Sequence, residues 1–297
     1  MSTKPLSSSP AEEEKAVKTS QWRDVLYRLC QNKAAMVGLA IMALLVLCAI
    51  FADVLAPYGY DDQDLSRRFI EPCREFPFGT DNFGRDIFSR IIHGSRISLQ
   101  VGLISVAIST VFGVALGAVA GYYGKVLDNI IMRVVDVMLA IPSILLAISI
   151  AAALGPGLRN VMIAISIGSI PSFARIVRAS VLTIKEQEFV EAAQAVGAGD
   201  ARILLKHILP NCMATIIVQA TLGVAGAILS TSGLSFIGLG ISPPTPEWGS
   251  MLSAGRQYIR DHGYIVLFPG LAIMITIFAL NLLGDGLRDA LDPRLKT

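Results

Sequence analysis

Six stretches of this sequence are too long and too apolar for a water-soluble fold, and they constrain everything else. They fall at 34–52, 98–121, 134–154, 159–178, 213–240 and 264–284. The first, AAMVGLAIMALLVLCAIFA, carries no charge. At about 1.5 Å of rise per residue, such a run crosses a hydrocarbon core of roughly 30 Å. Backbone N–H and C=O groups find no water in lipid, so each crossing must be helical. The fold class that follows is all-α, a polytopic membrane protein with six transmembrane helices. Composition agrees: 53% of the 297 residues are hydrophobic and only 16% are charged, against about 25% charged in soluble domains. A net charge of +2 gives no basic field for nucleic acid. The cysteines Cys30, Cys48, Cys73 and Cys212 form no C-x-x-C pair, and the three histidines are dispersed, so no metal site is expected.

Charge sets the expected orientation. With the N-terminus inside, sixteen of the 25 basic residues lie on cytoplasmic segments and nine outside. The positive-inside rule then puts both termini in the cytoplasm. Residues 1–33 form a cytoplasmic tail. Its Ser-, Pro- and Glu-rich part, 2–15, is expected to be disordered. Trp22, Val25, Leu26 and Leu29 follow helical spacing and suggest an amphipathic helix on the inner membrane face. Thirty-three residues, Glu12, Glu13 and Glu14 among them, precede the first span, which reads as a retained anchor rather than a signal peptide. Residues 34–297 form a six-span domain, with outer loops at about 53–97 and 241–263 and a cytoplasmic loop at about 185–211.

Inside the second span, Gly113, Gly117 and Gly121 are spaced G-x-x-x-G-x-x-x-G. Small residues one turn apart let two helix backbones approach, so these form a candidate packing face, although glycine is also simply common in membrane helices. Pro142 and Pro171 are expected to bend spans three and four, around a central path or merely for packing. Asp136 is either a proton relay or half of an ion pair with Arg133, and the ion pair is the preferred reading. No other span carries a carboxylate near its middle, and no G-x-x-x-x-G-K-[ST] phosphate loop occurs; GYYGK at 121–125 has the wrong spacing. The chain therefore shows no energy source of its own. In 79–96, Ile87, Phe88, Ile91 and Ile92 oppose Arg85, Ser89 and Arg96, as on an interfacial helix at the outer surface. Pro243, Pro244 and Pro246 stiffen the next outer loop, and Trp248 suits headgroup depth. Gly284-Asp285-Gly286 is expected to end the last span, with Arg288 and Arg294 holding the tail inside.

The most informative segment is FVEAAQAVGAGDARILLKHILPN, 189–211. Glu191, Ala192 and Ala193 open a run of helix formers, Gly197-Ala198-Gly199 breaks it, Asp200 is placed to cap a second helix, and Leu209-Pro210 ends that helix. The result is a short, partly apolar helix–turn–helix outside the membrane. Such a projection suits docking to a protein partner; the plainer alternative is a connector between spans.

This segment resembles the EAA motif of ABC importer permeases: E-A-A, three residues, G, nine residues, I-x-L-P. Glu191, Ala192, Ala193, Gly197, Leu209 and Pro210 match, and the isoleucine position falls on His207 with Ile208 beside it. The segments 78–99, 235–252 and 281–296 resemble the dipeptide/oligopeptide branch of the family, specifically its C-type subunit. The resemblance implies a type I importer fold in which this loop couples to ATPases. It also implies the partners: a second homologous permease subunit, two cytoplasmic ATPase subunits, an external substrate-binding protein and the surrounding lipid bilayer, with no nucleic acid. ATP and Mg would sit on the ATPase subunits, no cofactor or metal on this chain, and no covalent chemistry would occur here. The location implied is a bacterial cell membrane. Dipeptides or oligopeptides are the expected cargo, with nickel or glutathione as the alternative within the family. From other classes, a passive channel is disfavoured by the coupling loop. An intramembrane hydrolase using Ser232 is disfavoured by the lack of a histidine within a span.

Overall fold

The computed structural model describes residues 21–291, with side chains from Val25 onward. The expectations for 2–15, for the Trp22 side chain and for Arg294 lie outside the described residues. Twelve α-helices follow in order: α1 Gln21–Gln31, α2 Lys33–Ile50, α3 Ala52–Leu55, α4 Ile87–Tyr123, α5 Lys125–Ala140, α6 Ser143–Leu154, α7 Leu158–Lys185, α8 Glu188–Ala195, α9 Asp200–Arg202, α10 Leu209–Phe236, α11 Trp248–Gly255 and α12 Tyr264–Leu291. Among the described residues the only strand-like pairing is a single bridge between Thr80 and Asp86.

Five helices are long and apolar enough to cross a membrane; α9 and α10 count as one of them, joined by a π-turn at Ile203–Ile208. The third expected span is not one rod. It is the pair α5 and α6, which meet at Pro142 at 89°, so the proline breaks this span rather than bending it. Six crossings result if the pair makes one. Pro171, by contrast, lies inside an uninterrupted α7.

The bundle is built around α4 and α7, its most extensively packed pair. Serine hydroxyls stitch the two together. Ser109 donates to the Ser166 carbonyl at 3.0 Å, and Ser166 donates to the Ser105 carbonyl at 3.1 Å. Hydroxyl-to-carbonyl bonds suit helices in lipid, where no water competes. The flanking core is apolar, with Val101, Val161, Ile165, Phe173 and Ile228 buried together. α10 packs on α4 and α12, and α2 lies against α12. α1 turns its Leu29 onto Ala35 and Ala290, leaving Leu26 and Tyr27 exposed.

Several local expectations are corrected. Residues 79–86 are a loop, and 87–96 are the first turns of α4 rather than a separate interfacial helix. Of the supposed polar face, Arg85 and Ser89 lie inside with Ile87, and only Arg96 stays exposed. Trp248 is fully buried and donates its indole N–H to the Ile91 carbonyl at 3.0 Å, so it is a core residue and not a headgroup anchor. Gly284 and Gly286 do not end α12, which runs on to Leu291; an added Cβ there would strike Leu222 and Ala35. Asp136 pairs with Arg175 of α7 at 2.5 Å, not with Arg133 on its own helix. Arg178, also on α7, grips Asp128 of α5 through its Nε and Nη2 at 2.5 and 2.6 Å.

Candidate functional site

Between α7 and the α9–α10 helix, the chain makes a short projection of two helical pieces joined by a glycine turn. α8 is one-sided. Val190 and Ala193 are buried, while Glu188, Phe189, Glu191, Ala192, Gln194 and Ala195 face outward. The inward pair joins Ala118 and Tyr122 of α4, Val177 and Val181 of α7, and Ile203, Ile208 and Cys212 of the following helix in one apolar cluster. The projection is therefore seated on the ends of α4 and α7 rather than hanging from a tether.

α8 closes by a left-handed glycine cap. The Gly197 N–H donates to the Gln194 carbonyl at 2.9 Å, and the Ala198 N–H reaches back to the Ala193 carbonyl at 3.1 Å. The cap puts Gly197 at φ 79°, where glycine rests without strain and a β-branched residue does not. Nothing lies within 4 Å of a Cβ added there, so only the backbone conformation requires glycine. Gly199 has an ordinary φ of −72° and no such requirement. The tip is apolar and open: Val196 is 84% exposed. An exposed apolar apex, on a projection that also exposes Phe189, Glu188 and Glu191, has the makeup of a protein-docking surface.

Asp200 does not cap the second helix through its side chain. Gly199 occupies the cap position, and the Asp200 carboxylate instead accepts the Tyr122 hydroxyl at 2.8 Å. Pro210 does not end that helix either. The π-turn at Ile203–Ile208 widens the coil just before it, with Leu209 N–H bonded to Leu204 O, and Pro210 sits in the first turn of α10. A proline lacks an N–H, and the wider turn accommodates the missing bond. Ile208 is fully buried where the motif departs at His207, and Leu209 packs beside the same cluster.

The structure brings Glu191, Ala192, Ala193, Gly197, Ala198, Gly199, Asp200, Leu209 and Pro210 into this one projection. The three glycines of α4 lie elsewhere on that helix, against α7 of the same chain. A Cβ at Gly113 would overlap the Phe173 side chain, and one at Gly117 the Ala174 carbonyl oxygen; one at Gly121 would stand 2.9 Å from Val181. Sequence reasoning missed Tyr122, Lys185 and the Arg175 and Arg178 ion pairs, because each joins residues 39 or more positions apart. Ser232 spends its hydroxyl on the Ile228 carbonyl at 3.0 Å, as a helix serine rather than a nucleophile. Among the described residues no group of three metal-ligating side chains is assembled. An open groove of about 430 Å³ runs along α10 and α12, lined in part by Thr215, Gln219, Leu222 and Arg288.

Comparison with known proteins agrees with this geometry. Residues 113–297 match the family model described as "Binding-protein-dependent transport system inner membrane component", and residues 20–72 match the N-terminal TM domain of oligopeptide transport permease C. The chain is 50% identical to a dipeptide transport system permease protein of Alkalihalophilus pseudofirmus, over 99% of this chain and 96% of that one. It is 46% identical to a di/tripeptide transport system permease protein of Pseudomonas aeruginosa, over 98% of each. It is 43% identical to a glutathione transport system permease protein of Pectobacterium atrosepticum, over 98% of this chain and 97% of that one. Among solved structures, an inward-facing MetNI methionine ABC transporter aligns with a TM-score of 0.58 at 19% identity, over 69% of this chain and 98% of that one. With the helical bundle, the glycine-capped projection and these matches together, the chain belongs to the family of inner membrane components of binding-protein-dependent transport systems.

Proposed function

We propose that this chain is one half of the membrane path of an ATP-driven importer of dipeptides or short oligopeptides, and that residues 186–211 are where a partner ATPase takes hold. One observation carries the reading: the projection offers an exposed apolar tip on a base that is buried against α4 and α7. A bare connector has no reason to expose Val196 while sealing Val190. The peptide cargo rests on the relatives, two of which are named for dipeptides or di/tripeptides. Glutathione is itself a small peptide, so the relative named for it leaves it as the second reading. The chain would share the path with a second homologous permease and receive cargo from an external binding protein. Two ATPases would hold ATP and Mg on the cytoplasmic side. The groove along α10 and α12 is the half-path this chain would contribute, with Thr215, Gln219 and Arg288 as its polar groups.

Gly197→Val tests the coupling part. The substitution forces a β-branched residue to φ 79° with free space around it, a strain of about 1–3 kcal/mol. That cost is small for a bundle but comparable to the bias of a two-state coupling. Normal membrane abundance, weakened ATPase co-purification and lost dipeptide uptake are expected. Full uptake at normal abundance returns the segment to the status of a connector. Orientation is read separately, by labelling intact cells with an impermeant thiol reagent. Cys73 and Cys30 are both exposed, so Cys73 should react and Cys30 should not. Cys212 is buried and reports nothing. Labelling of Cys30 alone would invert the topology.

A further inference from the structure

The seat of the projection contains a polar lock that joins residues far apart in the sequence. Tyr122, the penultimate residue of α4, is 5% exposed and donates its hydroxyl to Asp200 Oδ1 at 2.8 Å. Lys185, the last residue of α7, donates its ammonium to the Tyr122 carbonyl at 2.6 Å and lies 5.4 Å from the centre of the Tyr122 ring. One aromatic residue thus touches three elements: α4 through its own backbone, α7 through Lys185, and the far side of the glycine turn through Asp200. The lysine also satisfies a carbonyl at the end of α4, where the helix leaves its last carbonyls without partners and favours positive charge.

From this geometry we infer that Tyr122 is a positioning residue that makes the projection and the α4–α7 pair move as one body. The inference rests on the coupling reading above. Apart from Tyr122, α8 is held to the bundle by the small apolar contacts of Val190 and Ala193. Apolar contacts are non-directional and permit sliding. A hydroxyl bonded to a carboxylate across 78 residues of sequence fixes a register, and a bond to a charged partner is roughly twice as strong as a neutral one. Above the lock, α4 and α7 are in backbone contact at Gly113, Gly117 and Gly121 and joined by serine hydroxyls. A push on the tip therefore reaches the far end of α4 and α7 without passing through a flexible joint. Without the Tyr122 hydroxyl, the glycine turn absorbs part of the push and ATP is consumed without transport.

The test is the number of ATP molecules hydrolysed per dipeptide imported, measured on the complete transporter in proteoliposomes. Tyr122→Phe removes one oxygen and keeps the buried ring. It should assemble normally, keep its ATPase rate, and raise the ATP cost per dipeptide on the order of tenfold, within the range of ordinary allosteric couplings. Asp200→Asn keeps an acceptor oxygen but loses the charge and should fall between wild type and Tyr122→Phe, whereas Asp200→Ala should match Tyr122→Phe. The double variant Tyr122→Phe/Asp200→Ala should be no worse than either single change, as for two halves of one interaction. A wild-type ratio for Tyr122→Phe, or independent losses that multiply in the double variant, overturns the inference. Gly197→Val separates the two levels: if it loses uptake while Tyr122→Phe keeps a normal ratio, the docking reading stands and the lock is wrong. If Gly197→Val transports fully, the docking reading itself has failed.

Discussion

The two ends of this bundle are held together in opposite ways. At the end formed by residues 56–86 and 237–263, most buried polar groups find a partner, Asp86 Oδ1 and His262 Nδ1 being left without one. Asp81 accepts from the backbone N–H groups of Phe83 and Arg85 and from the Arg85 guanidinium at 2.7 Å, with both side chains at least nine-tenths buried. Thr80 bonds Ile70 and Arg67, Asp86 caps α4 through Ser89, and Arg90 donates to the Tyr60 carbonyl at 2.6 Å. Glu247, 1% exposed, caps α11 through the Gly249 and Ser250 N–H groups, while burial pushes its carboxyl above the usual range. At the other end, the projection has one part-buried polar lock, an apolar base and an open tip. A network of satisfied buried partners resists deformation, because every displacement leaves some group unpaired. A projection with one lock on an apolar base breaks few polar contacts when it moves together with α4 and α7. The capped end is built to hold its shape, and the projecting end to be pushed.

The sharpest way to break this contrast is at Asp81. Asp81→Ala leaves the Arg85 guanidinium buried without its ion-pair partner and takes away a carboxylate 3.8 Å from the Nε of Arg90. Removing one member of a buried pair costs about 3–5 kcal/mol. A large fall in the thermal unfolding midpoint of the purified protein, or its loss from the membrane, is expected. A variant as stable as the parent would mean that the cap does not depend on its ion pairs.

Next in size is the close approach that both ends share. Gly117→Leu places a bulky side chain against the Ala174 carbonyl and Val177. Forcing extra volume into a packed core costs about 1–3 kcal/mol, and here the obstacle is backbone, which has nowhere to go. Because α4 and α7 belong to one chain, the damage should appear as lower stability of this subunit alone, before any assembly with a partner is considered. A subunit of unchanged stability that fails only to assemble would move Gly117 from the interior to an interface.

How much of this was legible in the sequence depends on the range of the interaction. The spans were readable because lipid imposes a length and a polarity on every crossing. Gly197 was readable because a positive φ at a helix end selects glycine locally. Pro142 announced a bend, but the 89° break depends on what α5 packs against. The charges were misread for the same reason. Asp136 has a plausible partner one turn away in Arg133, yet the fold brings Arg175 from another helix to it. Trp248 was assigned to the headgroup level on residue type alone, and its burial follows from the way α11 folds back onto α4. The run 79–96 looked like a surface helix because opposed polar and apolar faces mean exposure only when one face is wet, and here Arg85 and Ser89 of the polar face are buried among partners.

The smallest expected effect on stability is at the tip, and it discriminates best between the two ends. Val196 is 84% exposed and follows the last residue of α8. It belongs to none of the buried clusters, so Val196→Glu removes little packing. Exposed substitutions away from caps and cores usually shift stability by no more than about 0.5 kcal/mol. Gly197 keeps its left-handed conformation, and both cap hydrogen bonds are backbone bonds that the side chain does not enter. The unfolding midpoint of the variant should therefore match the parent, in contrast to Asp81→Ala. Its behaviour in the complex should not match. A carboxylate in place of the apolar apex would have to be desolvated on docking without a designed partner, and burying an unpaired charge is heavily disfavoured. Loss of ATPase co-purification with an unchanged midpoint is the expected pair of results. An unchanged midpoint with normal co-purification and normal uptake would show that the tip touches nothing, and would remove the contrast between a holding end and a receiving end.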